Sequence, residues 1–237
     1  ERHGVQTEPD ARLNVVTFNA CGCCRQDLDC MLSNLDSDCH WDIIMFQELS
    51  SPICVGPLAP GMADPECAPS DKHRFLFTTS TGHLVVYGSS PWRCCAVAIH
   101  SSHLPCLAST HVSPHPSAVL RTPAGTFSFT AAHLPAAHYP TEVFLEACSS
   151  LHEVLIRHKV RCRLVVGMDA NVQFTPNSSE AVGGVTSCTS TPGLRERTLS
   201  SLALSLGLRF QNTFTSPDSD YLTHKPWNGS RRSQIDY

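Results

Sequence analysis

Five short apolar runs each stop on a polar residue, and this repetition constrains the fold more than any other feature of the chain. The runs are Val16-Thr17-Phe18-Asn19, Met45-Phe46-Gln47-Glu48, Thr130-Ala131-Ala132-His133, Val166-Gly167-Met168-Asp169 and Ser233-Gln234-Ile235-Asp236. Short β-branched and aromatic runs of this kind read as buried strands. A strand that ends on a ligand-binding side chain aims it into a crevice at the sheet edge, where the sites of α/β proteins gather.

Between the first two runs Leu28, Met31, Leu32 and Leu35 recur at helical spacing. A strand–helix–strand crossover is therefore expected, with the helix covering one sheet face. Further strands are expected at 75–78, 83–87, 94–99, 119–121 and 126–131, spaced as antiparallel neighbours are. A helix is expected from Thr141 to about His158, with Val143, Phe144, Ala147, Leu151, Val154 and Leu155 on one stripe. A shorter helix carries Leu199, Leu202, Ala203 and Leu206 and stops at Gly207. Residues 50–71 and 177–193 show no periodicity and read as long loops.

Apolar residues make up 41% of the 237 and charged ones 16%, enough for a sizeable core and too little charge for a disordered chain. A net charge of −4 excludes a globally basic surface, so a polyanion has to be met locally or through a metal. No apolar run approaches the ~18 residues of a membrane span. The thirteen cysteines are scattered, several inside apolar runs (Cys94, Cys95, Cys162), and read as reduced, small apolar residues. The densest group, Cys21, Cys23, Cys24, Cys30 and Cys39-His40, lacks a paired C-x2-C framework, which leaves a structural zinc site as the lesser reading.

Singly, each terminal residue is commonplace: Asn19 suits a turn, Glu48 a solvated surface, and Asp169-Ala170-Asn171 an Asx turn. Together they describe a chemistry. Glu48 is an oxygen ligand suited to Mg2+. Asp169 can orient and deprotonate a water, Asn171 can donate its amide to a phosphate oxygen, and His133 can stabilise phosphate or carry a proton. Phosphodiester hydrolysis needs these parts.

The pieces LNVVTFNACG, DIIMFQEL, FTAAHLPA, VVGMDANV and SQIDY, in this order, resemble the endonuclease/exonuclease/phosphatase superfamily. The resemblance implies an α/β fold, a four-layer α-β-β-α sandwich of two mixed, mainly antiparallel sheets flanked by helices, and Mg2+ or Mn2+ as cofactor. It implies that Asn19 helps order the metal and phosphate site, that Glu48 binds the metal, and that Asp169 and Asn171 handle the attacking water and the phosphate. Asp236 matches the Asp that sets the tautomer of a terminal catalytic His, and His133 matches the His of branches carrying a His-x-Pro-like motif. The terminal Asp-His of the family is not found after Asp236. Residues 1–12 are thus expected to be an N-terminal extension, and 13–237 a domain truncated before its last strand, cut from a longer reading frame.

Leu208-Arg209-Phe210-Gln211-Asn212-Thr213-Phe214, Tyr221-Leu222-Thr223-His224 and Ser233–Tyr237 are similar to endonuclease domains of non-LTR retroelements. That branch implies DNA nicking, a reverse transcriptase region in the same polypeptide and action in the nucleus. Lys225, Trp227, Arg231 and Arg232 place cations around an aromatic, a pattern suited to a nucleic-acid backbone and base face. Two other readings remain: an RNA-directed or small-molecule phosphodiesterase of the same fold, and a catalytically dead remnant that binds metal or nucleic acid.

Overall fold

The run ending on Asn19 forms β1 (Val15–Asn19), the run through Glu48 forms β2 (Ile43–Leu49), and α1 (Arg25–Asp38) joins them. They belong to a computed structural model that describes residues 13–38, 40–50, 75–88, 94–184, 186 and 191–213. The crossover makes β1 and β2 parallel, with Val15 opposite Ile43 and Asn19 opposite Gln47. β3 (Leu76–Thr78), β4 (Leu84–Tyr87) and β5 (Cys94–Ile99) complete a sheet of order β1-β2-β5-β4-β3, antiparallel beyond β2.

The second sheet has the order β6-β7-β8-β9, built from β6 (Leu107–His111), β7 (Ser117–Thr122), β8 (Gly125–His133) and β9 (Arg163–Asp169). Its strands are antiparallel except for β8 and β9, which α2 (Thr141–Lys159) connects in parallel. The last helix is α3 (Leu194–Leu206), closed by Gly207 in the left-handed region at φ 71°.

Strand periodicity explains the layering. Ile43 and Met45 of β2 point between the sheets, where they meet Leu120, Phe129 and Ala131, while Ile44 and Phe46 point the other way onto Leu28 and Leu32 of α1. On the outer side of the second sheet Ala132 and Met168 pack against Phe144, Leu151 and Leu155 of α2 and Leu199 and Leu206 of α3. Each of these large side chains, once fully buried, contributes about 1.5–3 kcal/mol. The result is helix, sheet, sheet, helix: the four-layer sandwich expected from the sequence.

A glycine stands at one close approach of the two sheets. A Cβ built on Gly167 of β9 would lie 2.8 Å from Met45 Cβ and 3.0 Å from Thr17 Oγ1 on the facing sheet. An open apolar groove of about 840 Å³ runs between β1 and β9, lined by Phe18, Asn19, Val166, Met168, Leu202 and Phe210 among others.

Three elements differ from expectation. β1, expected to be buried, is largely exposed, because among the described residues it is an edge strand that lines the open groove. β6 reads as loop in sequence, because its half-exposed LASTH segment carries no apolar alternation. α3 starts at Leu194, five residues before Leu199, because Glu196 turns inward in its first turn and interrupts the apolar stripe. The expected strand at 233–236 and most of the 50–71 loop lie outside the described residues.

Candidate active site

The parallel pairs deliver the polar strand ends. β8 and β9 finish in register with His133 opposite Asp169, as β1 and β2 finish with Asn19 opposite Gln47. Glu48 arrives by a different device. Phe46 pairs with Ala96 and Leu49 with Cys94, so Gln47 and Glu48 share the space opposite Cys95, a β-bulge. Gln47 turns inward, 1% exposed, and donates to Thr17 Oγ1 at 3.0 Å and to the Met45 carbonyl at 2.9 Å. Glu48 sits at φ 56° and turns toward the site, while its carbonyl accepts from Gly22 N–H at 2.6 Å. A left-handed glutamate costs on the order of 1–2 kcal/mol, and such strain tends to collect at functional positions. Asn171, at φ 49°, is a second case in the same site.

Asp169 is the hub. It is fully buried, yet Oδ1 accepts from Asn171 N–H at 3.0 Å and Oδ2 from the Asn19 amide at 3.4 Å. The first bond is the Asx turn that the Asp-x-Asn spacing allows. The second spans the two sheets. Asn19 is itself oriented by Cys21 N–H, which donates to its Oδ1 at 3.0 Å. His133 Nε2 lies 3.6 Å from Glu48 Oε1, 3.8 Å from Asp169 Oδ2 and 3.3 Å from the Asn171 amide nitrogen. That amide also donates to the Leu134 carbonyl at 2.8 Å. Five of the expected site residues, Asn19, Glu48, His133, Asp169 and Asn171, thus converge from two sheets. Asp236, Lys225, Trp227, Arg231 and Arg232 lie outside the described residues.

Oxygens of Glu48 and Asp169 and the Nε2 of His133 all lie within 4.8 Å of one another. Two carboxylates this close repel unless a cation or proton sits between them. Hard oxygen donors in this number fit Mg2+ or Mn2+, which take one or two carboxylates and complete their shell with water and phosphate. His133 Nδ1 is buried without a hydrogen-bond partner among the described residues. The Asn171 amide can only donate, so its 3.3 Å bond to His133 takes the lone pair of Nε2. The donor set therefore fits a hard divalent ion at Glu48, with Asp169 and His133 beside it.

Two site-shaping residues carried no recognisable signal in sequence. Arg195 of α3 donates to the carbonyls of Pro135 at 2.7 Å, Ala136 at 3.0 Å and Tyr139 at 2.7 Å, and so holds the loop that follows His133. Its neighbour Glu196 accepts from the N–H and hydroxyl of Thr175 at 2.8 and 3.0 Å, bracing the loop that follows Asn171. Opposite charges in the first turn of a helix look like ordinary surface until the loops are seen around them.

A second group of potential ligands, Asp36, His83 and His100, lies between α1 and the ends of β4 and β5. Ser101 N–H donates to His83 Nδ1 at 3.0 Å, so the ring proton is on Nε2, 2.5 Å from Asp36 Oδ2. His100 Nδ1 likewise accepts from Ser102 N–H at 3.3 Å. A nitrogen holding its proton has no lone pair for a cation. The group is therefore a clamp that fastens α1 to its sheet, with the Trp41 ring against both imidazoles at 4.9 and 5.2 Å. Among the described residues the cysteines join no metal-capable group, so the zinc reading gains nothing.

No family model matches the sequence, and no curated protein matches it significantly. Solved structures do. The endonuclease domain of TRAS1, a telomere-specific non-LTR retrotransposon, matches with a TM-score of 0.53 at 14% identity, over 95% of this chain and 83% of that one. A 3′ phosphatase from Neisseria, bound to a product DNA hairpin, matches with a TM-score of 0.56 at 16% identity, over 95% and 85%. The chain has the endonuclease/exonuclease/phosphatase fold. A protein of that family from Leptotrichia buccalis matches equally, with a TM-score of 0.54 at 13% identity, over 95% and 86%. Within this fold the convergence of Asn19, Glu48, His133, Asp169 and Asn171 occupies the carboxyl ends of the two parallel strand pairs.

Proposed function

We propose that this chain is a Mg2+-dependent phosphodiesterase domain that nicks DNA, of the retroelement endonuclease type. The observation that supports it best is the contact between sheets: Asn19 of one donates to a fully buried Asp169 of the other, with Glu48 and His133 beside them. A bound divalent ion would neutralise phosphate charge and acidify water there. Asp169 Oδ2 accepts the proton of the attacking water. The oxygen so freed forms the new P–O bond in line with the sugar oxygen, which leaves as its P–O bond breaks and takes a proton from solvent water. The Asn171 amide and the His133 ring stand beside the non-bridging oxygens, where charge builds in the transition state. On this reading the domain works beside a reverse transcriptase region of one longer polypeptide, and Lys225, Trp227, Arg231 and Arg232 contact the substrate backbone.

The test is incubation with supercoiled plasmid and with single-stranded RNA, each with Mg2+ and with chelator. Expected is chelator-sensitive conversion to the open circle, reduced at least about 100-fold in Glu48→Ala and in Asp169→Asn. RNA cleavage without plasmid nicking moves the reading to an RNA-directed phosphodiesterase. Cleavage of neither, by a chain that still binds Mn2+ at Glu48, leaves the non-catalytic reading.

A further inference from the structure

The candidate active site lies at one end of the β8–β9 pair; the opposite end is strongly basic. Residues 157–163 contain Arg157, Lys159, Arg161 and Arg163 and no acidic residue, in a chain whose net charge is −4. Arg121 joins them from β7, at the same end of the sheet as the first residue of β9. All five are exposed.

Much of a helix's terminal charge is explained by the helix itself. Arg157 and Lys159 stand in the last turn of α2, where cations complement the partial negative charge of the carbonyl end. Lys159 also donates to the Ser205 carbonyl of α3 at 2.6 Å. That account does not reach Arg121, Arg161 or Arg163, which stand on β7, the α2–β9 turn and β9. Among the described residues none of these three has a carboxylate within 4 Å; the nearest ion pair is the solvent-exposed Arg157–Glu153 at 3.8 Å. Arg121 and Arg161 both face the half-buried Cys162, whose thiol is pushed up by burial while their charges oppose the push. Arg163 lies over the Phe127 ring, 5.7 Å from its centre. Like charges gathered without counter-ions repel one another, and a bound polyanion relieves that repulsion.

We infer that this pole, formed by Arg121, Arg157, Arg161 and Arg163, binds the phosphate backbone of nucleic acid. Guanidinium forks match phosphate oxygens two at a time, which lysines cannot do, and all four groups here are arginines. The six steps along β9 from Arg163 to Asp169 put the pole about 20 Å from the candidate active site. The two sites therefore take different segments of nucleic acid. The choice of nucleic acid over another polyanion rests on the proposed function; the anionic chemistry does not.

The test reads binding alone, by fluorescence anisotropy of a 12-base-pair duplex with the 237-residue chain in chelator, so that it is independent of cleavage. In the triple variant Arg121→Gln, Arg161→Gln, Arg163→Gln, the slope of log K against log salt is expected to fall by about 2–3, and low-salt affinity to fall more than tenfold. The triple Arg→Lys variant, which keeps the charge, should retain most of the slope and guards against misreading an unfolded Gln variant. Unchanged affinity and slope in a folded Gln variant would overturn the inference. So would a polyglutamate or anionic vesicle that displaces the duplex as well as unlabelled DNA does. Arginine-dependent binding without any nicking sustains the inference while removing the proposed function.

Discussion

Adding one methyl group at Gly167 tests how tightly the two halves of the site are held. The new Cβ would meet Met45 Cβ at 2.8 Å, Met45 Cε at 2.9 Å and Thr17 Oγ1 at 3.0 Å, against 3.4 Å or more for ordinary contact. The methionine tip can swing aside. The two other atoms are anchored to backbone, so the sheets must part locally by roughly 0.6 Å, the difference between 3.4 and 2.8. Overpacking of this kind costs about 1–3 kcal/mol, which for a chain this size is about 2–12 °C in Tm. The same displacement separates Asn19 and Glu48, on one sheet, from His133 and Asp169, on the other. Catalytic constellations tolerate errors of about 0.5 Å, so Gly167→Ala should lower nicking by about 10–100-fold although it touches no reacting group. Differential scanning calorimetry and the plasmid assay read the two effects. Met45→Ala added to Gly167→Ala removes only the Cε contact and should restore part of the stability. A Gly167→Ala protein with unchanged Tm and unchanged rate would refute the close approach of the sheets.

Two more outcomes follow from buried polar groups. His115, 3% exposed, has its Nδ1 buried without a partner among the described residues, and burial pushes the ring from its usual 6.5 to about 4. A base that the fold keeps neutral stabilises fully above pH 6.5 and loses that contribution as pH falls toward 4, here about 3 kcal/mol. Urea titrations at pH 7 and pH 4 should therefore show a gap about 3 kcal/mol smaller in His115→Gln; parallel pH curves would count against it. Arg195→Ala frees three carbonyls of the loop after His133 and should destabilise by about 2–3 kcal/mol, with faster amide exchange at 135–140 and unchanged exchange in β1 and β2.

Sequence periodicity was enough for α1, α2, β2 and β5, because each buries a regular face or is buried on both faces. The polar strand ends were legible for the same reason: Asn19, His133 and Asp169 end regular strands, and a strand's register dictates where its last side chain stands. Glu48 was legible as a residue but not as a geometry. Its orientation depends on a bulge set by β5 pairing and on a left-handed backbone that a glutamate does not advertise. β6 and the first turn of α3 were missed because their energetics are tertiary: one is an edge strand with an exposed face, and the other buries a glutamate for the sake of a loop. Arg195 was invisible because its partners are backbone carbonyls, which have no residue identity.

The sheets are contiguous in sequence as well as in space. Among the described residues the strands of the first sheet come from 15–99 and those of the second from 107–169, with the 3-10 turn Ser101–Cys106 between them. A chain cut in that turn yields two pieces, each owning part of the candidate site: Asn19 and Glu48 on one, His133, Asp169 and Asn171 on the other. The site comes into being only when one apolar face finds the other. If the proposed function holds, hydrolysis is a direct readout of tertiary docking, and a half-folded copy carrying only one sheet should not cleave.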